Sequence, residues 1–177
     1  MAMRGRSLAL GATVMLLALA ACASRRADVP STSPRPTGLA LTGLVFAYGV
    51  GARNVLDTTR GTFTKDMVTA SPITIPLQFS AGDMASISKK MDEIGFFSYP
   101  SAFAPAVAEN GGEMTPFATY RFAARTDGGT KVVVWADKFV TDDERALRLR
   151  SLARLIERRI VATPEYKRLP EAEGGYL

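Results

Sequence analysis

Two aromatic-rich runs on either side of Asp127-Gly128-Gly129 constrain this chain more than any other feature. Phe117–Arg125 and Lys131–Ala136 flank that turn, and Asp-Gly is a connection whose backbone twist suits a β-hairpin. With Asp127 and Gly128 as the two turn residues, Tyr120 falls opposite Trp135 and Phe122 opposite Val133. Aromatic and β-branched side chains facing one another across an antiparallel pair stabilise it. The chain is therefore expected to build an antiparallel sheet around this hairpin.

Other segments supply the rest of such a layer. Leu44, Phe46 and Tyr48 alternate with Val45 and Ala47, the period of a strand mostly buried on both faces, and Gly49 and Gly51 break it. Thr62–Met67 reads as a second strand and Ile73–Phe79 as a third, in which Pro76 marks an edge or a bulge. Ser80 then caps a helix, with Asp83 as the other half of a capping box and Gly95 as its stop. Its stripe is Met84, Ile87, Met91 and Ile94. Paired methionines suit copper(I), but isoleucines on the same stripe make it a core face. A long loop, Ser101–Pro116, leads into the hairpin. The last helix is expected from Asp142 to about Val161, acidic at its start and with Arg158 and Arg159 at its end, as the helix dipole favours. Leu149, Leu152, Ala153, Ile156 and Ile160 give it one apolar face. The order β-β-β-α-β-β-α predicts an α+β fold: an antiparallel sheet of about five strands with two helices packed on one face.

The N-terminal residues carry a different message. Arg4 and Arg6 precede an apolar stretch, Leu8–Leu19, and small residues then lead into Cys22, the sole cysteine. These are the parts of a secretory signal, and roughly 12 apolar residues fall short of the ~20 that a spanning helix needs. Leu19-Ala20-Ala21-Cys22 resembles the lipobox of bacterial lipoproteins. The resemblance implies cleavage before Cys22, a diacylglycerol on its thiol and an acylated amine. Residues 1–21 are then a leader. Residues 22–37, with three prolines and several Ser and Thr, form a disordered tether, and residues 38–177 form a single domain. Ala23 follows the cysteine where an aspartate would retain such a protein at the inner membrane. The expected location is the outer membrane, facing the periplasm, if the host has two.

Composition narrows the chemistry. Without Arg4 and Arg6 the chain has 20 basic side chains against 17 acidic, a balance of +3 rather than +5. That is too weak for a dedicated nucleic-acid binder. Histidine is absent, which excludes Ser-His-Asp and Cys-His catalysis and every His-ligated metal. With the one cysteine lipidated, no disulfide forms within the mature chain. No cofactor is expected.

Two sets of residues remain as candidate sites. Asn54, Asp57 and Asp66 carry oxygens suited to a hard cation, and Lys65 beside threonines has the makings of an activated base. The plainer reading of this segment is turn chemistry and surface charge, and its spacing matches no metal loop. Arg150, Arg154 and Arg158, four residues apart, share one helix face. Such a stripe suits a phosphate-rich glycolipid, an acidic polymer or an acidic envelope protein. The alternative is a solvated face partly neutralised by Glu157. The loop before the hairpin, with Phe103, Glu113 and Met114, is either a binding lip or a plain connection.

Tyr48–Thr58 followed by Gly61–Met67, together with Met91–Phe97 and Pro164–Pro170, resembles an uncharacterised group of small exported bacterial proteins, many of them predicted lipoproteins. The group brings no established activity and so no catalytic residues. What it implies is that Asn54–Asp66 is the segment to test first. The expected function is a non-enzymatic, membrane-anchored binding module. A small-ligand or metal carrier, or an enzyme using Asp57, Lys65 and Asp66, is the alternative.

Overall fold

The computed structural model describes residues 40–176. The expectations for the leader, for Cys22 and for the tether lie outside the described residues. Six strands form one sheet: β1 (Leu41–Tyr48), β2 (Asn54–Asp57), β3 (Thr62–Met67), β4 (Ala70–Pro76), β5 (Glu113–Thr126) and β6 (Gly129–Phe139). Helix α1 (Ala81–Glu93) joins β4 to β5, and α2 (Glu144–Ala162) and the short α3 (Pro164–Lys167) follow β6. The sheet order is β4-β3-β2-β1-β5-β6 with every neighbouring pair antiparallel. The fold is α+β.

The hairpin has the register that its turn dictates: Tyr120 pairs with Trp135, Phe122 with Val133 and Thr126 with Gly129. Ser80 caps α1 through the Asp83 amide at 3.1 Å, and Asp83 returns a bond from the Ser80 amide. Gly95 then turns the chain at φ +67°, a left-handed conformation that costs glycine little.

The sheet's extra strand is β2. Four residues are too few to display an alternating pattern, and its polar ends read as turn chemistry. Pairing with β1 on one side and β3 on the other creates it. The following strand ends at Pro76, short of the expected Phe79, because the Leu77 amide leaves the ladder to bond the Gly61 carbonyl at 2.9 Å. Pro76 does lie on an edge strand. At the other edge, Ser101 and Phe103 bond the backbone of Val134, so part of the long loop shields β6.

One row of side chains shows how the layers join. Ile75, Phe63, Leu56, Phe46, Phe122 and Val133 are successive cross-strand partners from β4 to β6. They meet Ile87 and Met91 of α1 and Leu149, Leu152, Ala153, Ile156 and Ile160 of α2 in one core. The opposite face of the sheet is more open. Val45 is only half-buried, and Arg121, Arg125 and Val134 are exposed. The expectation that β1 is buried on both faces holds for Leu44, Phe46 and Ala47 but not for Val45, because both helices lie on one side.

Candidate functional site

The Asn54–Asp66 segment is two strands and the turn between them, and its polar atoms are engaged within the fold. Asp57, at the far end of β2 from Asn54, accepts from the Thr59 and Arg60 amides at 2.9 and 3.0 Å. This is an Asx-type turn, with the Arg60 guanidinium 3.7 Å away. Asn54 accepts from the Asp66 amide at 3.0 Å. Asp66 is buried; it accepts from the Val68 amide at 3.1 Å and from the Tyr176 hydroxyl, with Arg53 at 4.0 Å.

Lys65 is also buried. Its ammonium donates to the Pro170 carbonyl at 2.7 Å and lies 5.1 Å from the centre of the Tyr166 ring. Alternation along β3 turns Thr64 to the other face, where its hydroxyl meets that of Thr74 at 2.8 Å. Lys65 therefore has no adjacent threonine to activate. The structure brings Asn54, Asp66 and Lys65 to the last described residues of the chain and leaves Asp57 apart. Among the described residues no three Asp or Glu side chains gather where they could hold a metal ion.

The arginine stripe divides in two. Arg150 makes a bidentate pair with the buried Asp137, Nε to Oδ2 at 3.0 Å and Nη2 to Oδ1 at 2.8 Å, and its guanidinium lies 5.4 Å from the Trp135 ring centre. The bonds to Asp137 raise the Arg150 pKa above its ordinary value, against the opposing effect of burial. This residue clamps α2 to β6. Arg154 and Arg158 are exposed, and no ion pair among the described residues includes either of them. All three arginines, with Leu147 and Ser151, line an open groove of about 460 Å³.

Beside the stripe is a cluster that the sequence reading did not assemble. Tyr48 and Tyr120 lie on the helix-facing side of adjacent strands, and Glu157 reaches toward them from α2. Burial raises the Tyr48 pKa, and the Tyr166 and Glu157 charges add to the effect. Burial pushes Tyr120 up to about 12; Glu157 and Asp137 add to that, and Arg150 and Arg154 oppose it. Burial likewise raises the Glu157 carboxyl, with Arg154 and Arg158 pulling it back. Only the β1–β5 pairing joins residues so far apart in sequence, and no local motif announces it. The aromatic residue at each position was the sole available signal.

The loop before the hairpin is not a free lip. Phe103 is buried, with its ring centre 5.2 Å from that of Tyr99 and 5.8 Å from that of Trp135. Met114 is exposed.

Comparison with family models, with curated proteins and with solved structures finds no match in any of the three.

Proposed function

We propose that this chain is a non-enzymatic, tethered envelope lipoprotein whose α+β domain binds an acidic envelope component through the outer flank of α2. The observation that carries this reading is the open groove in which the exposed Arg154 and Arg158 belong to no ion pair among the described residues. Arg150 supports it indirectly, because its pair with Asp137 fixes the helix that presents the other two. The enzyme alternative needed Asp57, Lys65 and Asp66 to converge, and a metal carrier needed carboxylates to gather, which they do not among the described residues. The distribution of the three residues, one in a turn and two beneath the C-terminal segment, gives those readings little support.

The test is capture from native envelopes after gentle crosslinking, comparing the wild-type chain with the double variant Arg154→Glu/Arg158→Glu. Both residues are exposed, so circular dichroism should be unchanged. The acidic component should be captured by the wild type and lost in the variant. Equal capture by both would remove the flank from the reading. Arg150 is left intact, since changing it would disturb the fold as well as the charge.

A further inference from the structure

Resting on that reading, we infer that the acidic component is the phosphate-bearing headgroup layer of the membrane to which the chain is tethered, and that the outer ridge of α2 lies on it. Three features point there. The first is the ridge's composition. Leu147, Arg154 and Val161 are spaced at seven residues and so share one face, with Arg158 between the last two. Leu147 is 47% exposed and Val161 41% exposed. They are thus apolar side chains left in water at either end of a basic stretch about 21 Å long. A protein or polymer selected by charge alone has no use for those ends. A bilayer has, because basic groups meet phosphates while apolar side chains enter the headgroup boundary.

The second feature is charge complementarity. Glu144, the acidic residue at the start of α2, is paired with Arg148, and Asp137 is occupied by Arg150. The ridge therefore presents two exposed guanidiniums that belong to no ion pair among the described residues, their charge offset only in part by the half-buried Glu157 beside them. Each basic group near an anionic surface contributes about 1 kcal/mol. Two would not hold a free protein, but they can orient one whose local concentration is already fixed by an anchor.

The third feature is reach. The described chain begins at Ala40, beside the start of β1, whereas the Glu157 charge acts on Tyr48 at that strand's other end. The strand spans about 25 Å. The 18 residues Cys22–Leu39 have a contour of about 55 Å when extended. An anchor at Cys22 therefore leaves enough chain for α2 to reach the same bilayer.

The experiment couples the chain from Cys22 onward, through that sole cysteine, to a maleimide headgroup. The vesicles are of phosphatidylcholine alone or with added phosphatidylglycerol. Hydroxyl-radical labelling of Leu147 and Val161 is the readout, with Val107 and Met114, exposed elsewhere, as internal controls. Labelling of Leu147 and Val161 should fall severalfold only on phosphatidylglycerol vesicles. High salt and Arg154→Gln/Arg158→Gln should each restore it, and the controls should not change. Identical labelling on both vesicle types overturns the inference. If Arg154→Glu/Arg158→Glu nonetheless abolishes capture from envelopes, the binding reading survives with a non-lipid partner. If it does not, both fail.

Discussion

Three arginines of the same helix face meet two different fates for reasons local to each side chain. Arg150 finds Asp137 across the helix–sheet interface, whereas Arg154 and Arg158 belong to no ion pair among the described residues. Removing one partner of a buried pair strands the other's charge, at a cost of about 3–5 kcal/mol for full burial. The Arg150 side chain keeps 21% exposure, so Arg150→Ala should cost about 2–3 kcal/mol in urea unfolding. Arg154→Ala and Arg158→Ala should each stay within about 0.5 kcal/mol of wild type. Glu157 gives a pH signature. Its folded pKa is raised by burial, so the folded chain holds this proton more tightly than the unfolded chain does. The group's penalty is absent below the ordinary carboxyl range and is fully felt above the raised value. Glu157→Gln should therefore melt higher than wild type at pH 7, with the difference shrinking toward acid. Equal melting temperatures at pH 7 would contradict this origin for the shift.

Elements were legible in the sequence where one short stretch contained the whole physical argument. The hairpin register followed from Asp127-Gly128 and its flanking aromatics, and the start of α1 from Ser80 and Asp83. The capping box predicts that Ser80→Ala destabilises the domain by about 1 kcal/mol, readable as a lower unfolding midpoint. Strand β2 was not legible, because its four residues become a strand only between β1 and β3. The same limit applies to the candidate site. The face shared by Arg150, Arg154 and Arg158 follows from helical periodicity, but the pairing of Arg150 with Asp137 depends on how α2 crosses β6. Phe46, fully buried in β1, packs against Tyr48 of its own strand and Tyr120 and Phe122 of β5. Phe46→Ala should cost about 3–5 kcal/mol, the largest loss expected from any substitution considered.

At the scale of the molecule, the C-terminal segment closes one end of the sheet. Pro170 accepts from Lys65, Glu173 accepts from Thr69, and Tyr176 donates to Asp66. A parallel bridge joins Val68 to Glu173. Val68 has φ +62°, a strained conformation for a β-branched residue, and it is held there by the Asp66 carboxylate and this strap. Lys65 and Asp66, at the end of the Asn54–Asp66 segment, thus serve long-range closure, with partners more than 100 residues away in sequence. No reading of the segment alone could supply those partners. If closure is their role, removing these two of the three side-chain ties should free the strap without unfolding the core. Lys65→Met keeps an apolar stem of similar length, and Tyr176→Phe keeps the ring, so the double variant should change global stability by no more than about 1.5 kcal/mol. Limited proteolysis between Pro170 and Tyr176 should nevertheless accelerate severalfold, because cleavage there follows local opening and not global unfolding. Cleavage at the wild-type rate would mean that the Thr69 bond and the backbone bridge suffice to hold the strap, and would return Lys65 and Asp66 to the candidates for a role beyond the fold.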